Sequence, residues 1–398
     1  MPREKMSGQH VNSLLMDLNQ ASVLKYIPFA VVQDCLKKLN LDSKRMRSPP
    51  AASVVYLVIL MALHSDISIM EVLRVLLCPI RSKLGICLSK LPVGSAIVRA
   101  RRRLGMQVFS DIFDAIVRPL GNPEIRQCFW KNYRLVAVDG STQNVHATKE
   151  NKEHFGLPSS RVGDARNPQM RITALMECGT KVFFAISYGA CKISELALFK
   201  NIIYKLDKEM LLFADRYYFG FELWQQCKLR AGALVWRVNK MVNLVPVEVL
   251  KDGSYLAQIK PSASSKQKNP ELNGQSDIVR VIKFKPVFKD GSQGEETRLV
   301  TTILSVAEAS AMEIAEIYPE HWLIEEGFCE LKNCLGNSKK ILRSLVPEFV
   351  VQELLGFLLM HFAVRSLMLE SARENDLAPN DLSFKGAVNV IKRQMIAF

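Results

Sequence analysis

Tyr133-Arg-Leu-Val-Ala-Val-Asp139-Gly-Ser141 is the stretch at which the chain changes period. An unbroken apolar run that closes on an acid reads as a strand buried on both faces with a polar end. Four similar runs follow, at Met170 to Met176, Val182 to Tyr188, Met210 to Ala214 and Ala233 to Val238. Helix-like segments fall between the later ones, at Glu195 to Leu206 and Glu222 to Leu229. Three strands in succession, then alternating helix and strand, predict a mixed α/β fold with helices over a mixed sheet. That order matches a ribonuclease-H-like core.

Upstream, apolar residues recur at helical spacing through Leu14 to Leu18, Phe29 to Leu39, Val54 to Leu63, Val72 to Leu77 and Ile97 to Leu104. Ser68 with Glu71 has capping-box spacing, and Ser95 after Pro-Val-Gly is the expected N-cap of a helix carrying Arg99, Arg101, Arg102 and Arg103. Such a helix can be offered to a DNA groove or can be a solvated face of a plain bundle. Downstream, residues 239 to 304 carry hairpin signals at Lys251-Asp-Gly-Ser254 and Lys289-Asp-Gly-Ser292, with a polar, loop-like Pro261 to Pro270 between them. Ala307 to Leu335 then reads as one long helix broken at Pro319, and Glu348 to Glu370 as another.

The chain has 398 residues and a formal charge of +14, enough length for two or three domains at about 150 residues each. Residues 1 to 130 hold 18 Lys and Arg against 9 Asp and Glu, so much of the excess lies in the helical third. A polyanion partner accounts for that charge, as does a generally basic surface. Nine cysteines without a CxxC pair fit a reducing cytosol and a place in the core. The run Val54 to Leu63 is too short for a bilayer, which takes about 20 residues, and no membrane role is expected.

Two acids close apolar strands, Asp139 and Asp215, the latter in Leu-Leu-Phe-Ala-Asp215-Arg. A third, Glu325, lies in Tyr318-Pro-Glu-His321-Trp322-Leu-Ile-Glu325-Glu-Gly-Phe-Cys-Glu-Leu-Lys332. Clustered carboxylates repel and hold protons unless a cation sits among them. Two Mg²⁺ ions about 3.5 to 4 Å apart can both activate a water and shield a leaving oxygen in phosphodiester cleavage, and Mg²⁺ prefers oxygen ligands. Positions 318, 321, 325 and 332 share one face of a continuous helix. Core packing is the expected role of Trp322, Phe328 and Leu331.

The segment from Tyr318 to Lys332 resembles the Y-x2-R-x3-E-x6-K signature of DDE transposases of the insertion-sequence-4 type, with His321 at the arginine position. Asp139 in V-D-G-S and Asp215 in A-D-R resemble the family's first two acids. The resemblance implies that Asp139, Asp215 and Glu325 bind two Mg²⁺ ions, with Mn²⁺ able to substitute, and that Tyr318, His321, Trp322 and Lys332 meet DNA. It implies an enzyme acting as a homodimer on terminal inverted repeats and target DNA in the bacterial cytoplasm, at the nucleoid. It also implies four parts: a helical DNA-binding region over 1–125, a ribonuclease-H-like core begun over 126–238, a β-rich insertion over 239–304 and a helical completion over 305–398. An imidazole cannot reproduce the two-pronged grip of arginine on phosphate, so weaker or more pH-sensitive end binding is expected. A defective copy that only binds DNA, or a ribonuclease-H-like nuclease, remains an alternative.

Overall fold

The computed structural model describes residues 23–42, 50–84, 92–125, 127–160, 163–286, 292, 294–336 and 341–397. Helices come first: α1 (Phe29–Lys38), α2 (Ala51–Leu63), α3 (Ile69–Leu84), α4 (Gly94–Leu104) and α5 (Gln107–Ile116). The expected helix at Leu14 to Leu18 lies outside the described residues. Ser68 Oγ accepts the Glu71 N–H at 3.2 Å and starts α3, as its spacing predicts. Ser95, by contrast, sits inside the first turn of α4, which is preceded by Val93 with no side-chain cap.

Every residue of α2 is buried, because its apolar side chains point all round the helix rather than along one stripe. Its partner is α10, Pro347–Glu374, and the two come close where a Cβ on Gly356 would meet the Val58 carbonyl oxygen at 2.9 Å. Among the described residues α10 is the one helix long and apolar enough to cross a membrane, and 94% of its apolar window is buried inside the fold. It is a core helix.

The sheet is built from β1 (Tyr133–Val145), β2 (Gln169–Glu177), β3 (Val182–Ala190), β4 (Met210–Ala214) and β5 (Ala233–Arg237) in the order β3-β2-β1-β4-β5. β1 pairs with β4 in parallel, so the first and fourth strands are neighbours, as a ribonuclease-H-like core requires. Helices α6 (Glu195–Lys200) and α7 (Phe221–Arg230) make the crossovers. Burial on both faces explains the unbroken apolar runs of the parallel strands β1, β4 and β5.

The insertion continues this sheet. Strands β6 (Pro246–Val249), β7 (Tyr255–Ile259), β8 (Asp277–Phe284) and β9 (Thr297–Thr301) join through β9, which pairs antiparallel with β5. The hairpin at Lys251 to Ser254 forms as expected, with Gly253 at φ +81° supplying the left-handed residue of its turn. The second signal, around Gly291, falls outside the described residues. Pro261 to Pro270 departs from the loop expectation: Ser262 caps a short helix, Ala263–Lys268, by accepting the Ser265 N–H.

The long helix expected from Ala307 to Leu335 is instead four successive pieces. They are α8 (Ala311–Ile317), a 3₁₀ turn (Tyr318–Trp322), α9 (Leu323–Cys329) and a π-helical turn (Glu330–Leu335). Pro319 enters the 3₁₀ turn at its start, where its missing N–H costs nothing. Helix α11 (Phe384–Ala397) ends the described chain.

Candidate active site

The site is set by register. Val138 on β1 pairs with Ala214 on β4, so Asp139 and Asp215 are each the next residue along two adjacent parallel strands. They emerge side by side. Asp139 does not end its strand: β1 runs on to Val145 because β2 pairs with it beyond the last parallel partner, Asp139 lying opposite Ala174. The stretch after Asp139 is polar, so no apolar run marks this continuation.

Asp139 accepts the Gly140 N–H at 2.7 Å. Burial pushes its carboxyl up to about 7; the Gly140 hydrogen bond opposes this, and the charges of Glu195, Glu325 and Asp215 add to it. Asp215 Oδ1 is buried without a hydrogen-bond partner, and the Arg237 Nη1 stands 3.8 Å from it. Glu325 is exposed in the first turn of α9. That helix seats on the sheet at Gly327, where a Cβ would meet Met176 Sδ at 2.8 Å and Phe183 Cζ at 2.9 Å. Its neighbour Glu326 points elsewhere, pairing with Lys181 at 2.5 Å.

Glu195 was not among the expected residues. Its carboxylate pairs with Arg171 at 2.9 Å and packs against Gly140, where a Cβ would meet Glu195 Cδ at 2.1 Å. Sequence gave little warning, since an acid after Ser194 reads as an ordinary first-turn residue of α6.

Lys332 reaches the same edge, its Nζ donating to Ser141 Oγ at 2.5 Å, two residues past Asp139. Tyr318 and His321 do not present themselves to a ligand. Both are buried, at 4% and 5% exposure, with rings stacked 4.6 Å apart and 22° between planes. The expectation of a shared outward face assumed an α-helix, whereas in a 3₁₀ turn side chains three apart eclipse. Tyr318 also packs edge-on against Phe213 of β4. Burial lowers the His321 pKa to about 4, with Asp215 opposing, so the ring is neutral near pH 7 and the expected pH-sensitivity does not arise from it. Trp322 reverses the core expectation, being 48% exposed, while Phe328 is buried as expected.

Of the four arginines of α4, Arg99, Arg102 and Arg103 are exposed, but Arg101 is not available to DNA. It is 3% exposed, donates to Gln352 Oε1 at 3.0 Å and the Phe349 carbonyl at 3.1 Å, and lies over the Phe349 ring. It is a tie between α4 and α10. Among the cysteines, Cys35, Cys128, Cys178 and Cys227 are buried, whereas Cys329 is exposed, against the core expectation.

Glu195, Glu325 and Asp215 all lie near enough to Asp139 for their charges to act on its carboxyl, and oxygen donors of this kind are those that a hard divalent cation takes. A cation beside them would satisfy the orphaned Asp215 oxygen and offset the charges that help raise Asp139. Among the described residues, no three His, Cys, Asp or Glu side chains close around a single point.

A ribonuclease-H-like sheet with one acid on its first strand, another directly after its fourth, and a glutamate on a later helix has the layout of a DDE-type core. The chain belongs to the family described as Transposase DDE domain, which matches residues 130–356, and the Insertion element 4 transposase N-terminal family matches residues 19–114. It is an insertion-sequence-4-type transposase. Over 377 residues it is 25% identical to "Transposase InsG for insertion sequence element IS4" of Escherichia coli (strain K12), covering 93% of this chain and 82% of that protein. A solved structure, a piggyBac transposase synaptic complex with hairpin DNA, is similar with a TM-score of 0.45 and 10% identity, covering 92% of this chain and 76% of that one.

Proposed function

We propose that this chain binds the terminal inverted repeats of an insertion sequence, cuts the DNA there and joins the freed 3′ hydroxyls to target DNA. Asp139, Asp215 and Glu325 are the metal ligands in this reading, with Mg²⁺ as the ion and Mn²⁺ as a substitute. Bound cations would supply an activated oxygen nucleophile and charge relief for the leaving oxygen. The chain's own residues do the rest. The Gly140 N–H orients Asp139, Arg171 holds Glu195 beside it, and Ser141 holds Lys332 within reach of the same edge.

Trp322 and Lys332 meet the DNA end, while buried Tyr318 and His321 act beneath Trp322 as a stacked support. Arg99, Arg102 and Arg103 meet the phosphates of the repeat. Two copies work on paired ends in the bacterial cytoplasm. The observation that carries the reading is the common register of Asp139 and Asp215 one step beyond the Val138 and Ala214 pair.

The test is strand cleavage of a labelled duplex carrying the DNA that borders the coding sequence, with Mg²⁺ or Mn²⁺. The protein is expected to nick it, and Asp139→Asn, Asp215→Asn and Glu325→Gln to bind without nicking. Nicking at normal rate by any of the three variants overturns the assignment. Binding without nicking by the unaltered protein favours a defective, DNA-binding copy, a reading the buried His321 keeps in play.

A further inference from the structure

The segment that carries Glu325 and Lys332 changes helical type between them. Along an unbroken α-helix seven residues come back to within about 20° of the same line, so Lys332 would stand over Glu325. Here α9 stops at Cys329 and Glu330–Leu335 form a π-helical turn, in which the Gly336 N–H donates to the Leu331 carbonyl, five residues back, at 3.1 Å. The wider turn advances less per residue, so Lys332 is swung off that line. Its ammonium donates to Ser141 on β1.

Glu330, the first residue of this turn, is gripped from the core helix α10. Arg365 meets it with two prongs, Nε at 3.0 Å from Oε2 and Nη2 on Oε1, and His361 Nε2 lies 3.0 Å from Oε2. Lys181, just before β3, stands 4.0 Å from Oε1, while its closer partner is Glu326, the residue after Glu325. Arg365 and His361 are both buried. A buried ion pair gives little net stability over an apolar filling of the same space, because both charges must leave water. What it does give is direction: the two-pronged bond between carboxylate and guanidinium fixes its partners in angle as an apolar contact does not. Lys332 follows only two residues after the carboxylate so held.

We propose that Glu330 is a positioning residue for Lys332: its bonds to Arg365 and His361 anchor the π-helical turn to α10, and the anchored turn aims the Lys332 ammonium at a phosphate of the DNA end. This rests on the transposase reading above, and within it on Lys332 as a DNA contact. Glu330 acts through the lysine and touches no DNA. Removing its negative charge would by long-range electrostatics favour DNA binding, so a loss of binding has the opposite sign and reports the aim of the lysine.

The experiment measures binding of the labelled terminal duplex to the full chain over a range of salt, in chelator so that cation occupancy does not enter, at a temperature where each variant is folded. Lys332→Met is expected to bind about tenfold more weakly and to flatten the slope of log affinity against log salt by about one phosphate contact. Glu330→Gln is expected to do the same although its lysine is intact, and to lose less than about twofold more when combined with Lys332→Met. A merely structural role would lower the melting temperature and leave the slope alone. Parental slope and affinity in Glu330→Gln, or losses that multiply in the double variant, would overturn the proposal while leaving the Lys332 contact and the transposase reading intact. Parental binding by Lys332→Met would overturn the proposal together with that contact, and nicking by the unaltered protein would still uphold the transposase reading. If the unaltered protein neither binds nor nicks the duplex, all fall together. Should Glu330→Gln not fold, Arg365→Lys decides, since it keeps the charge but not the two-pronged bond. A loss of affinity that vanishes in the Lys332→Met background supports the proposal, whereas parental binding, or a loss that persists there, overturns it.

Discussion

Glu195 lies against Gly140 so closely that a β-carbon there would stand 2.1 Å from its Cδ and 2.3 Å from Oε2. The glycine after Asp139 is therefore required by packing, not by a turn, since it lies inside β1 opposite Thr173. Arg171 pins the carboxylate from the other side at 2.9 Å, so Glu195 cannot swing clear without losing its ion pair. Gly140→Ala is expected to cost about 1–3 kcal/mol by overpacking. Adding Glu195→Ala should return most of that loss. Denaturant unfolding of both single variants and the double one checks the coupling, and simple additivity would mean that the two residues do not meet.

Arg101 and its neighbours on α4 should separate cleanly. Removing the Arg101 guanidinium leaves Gln352 Oε1 without its donor in a buried interface and strips a second bond from the Phe349 carbonyl, and Arg101→Ala is expected to cost on the order of 3 kcal/mol. Arg102→Ala and Arg103→Ala, both exposed, should change stability by no more than about 0.5 kcal/mol and flatten the salt dependence of DNA binding instead. Thermal unfolding alongside salt-dependent binding distinguishes the two behaviours. A shallow salt slope in a stable Arg101→Ala protein would show that this guanidinium reaches DNA after all.

Acid stability should depend on Glu330. Burial alone would raise its pKa, but the His361 hydrogen bond at 3.0 Å and the Arg365 guanidinium hold it down to about 2, from an ordinary value near 4.5. With the folded pKa below the unfolded one, the unfolded chain binds more protons between those values. The stability Glu330 contributes is therefore complete above about pH 4.5 and is lost as pH falls toward 2. Glu330→Gln should lower stability by about 3–5 kcal/mol near neutrality, because the buried Arg365 guanidinium is left without its counter-charge. The gap between variant and unaltered protein should then narrow as pH drops from 4.5. A gap that does not vary with pH would remove the charge from the explanation.

The parts of this fold that sequence revealed are those whose signal is local. Met210 to Ala214 is apolar throughout because β4 is buried on both faces, and Asp215 marks its end. Asp139 was recognisable as an acid after such a run, but the continuation of β1 depended on pairing with β2, which the residues after it do not advertise. Arg101 had a readable signal: Ile97, Arg101 and Leu104 share one helical face, and the other two are buried. The pieces between Ala311 and Leu335 had none beyond Pro319, because whether a turn is α, 3₁₀ or π is settled by what packs against it. The insertion likewise read as a separate β unit, since nothing in Thr297 to Thr301 names β5 as its partner.

His321→Arg would restore the arginine of the signature, yet the geometry predicts no gain from it. The imidazole sits between the Tyr318 ring at 4.6 Å and the Trp322 ring at 4.6 Å, 5% exposed, with Nδ1 buried and unbonded. A guanidinium there must either be buried, with Asp215 as the nearby charge acting on that position, or unwind the 3₁₀ turn to reach solvent. Either route is expected to lower stability by on the order of 3 kcal/mol. His321→Phe, which keeps a ring in the stack, should stay within about 1.5 kcal/mol of the unaltered protein. End binding by the unaltered protein should owe no pH dependence between 6 and 8 to this imidazole, already neutral there. Melting temperatures and duplex binding of the two variants decide it. An arginine variant as stable as its parent and tighter on DNA would mean that the turn opens readily and that the stacked pair is not its resting arrangement.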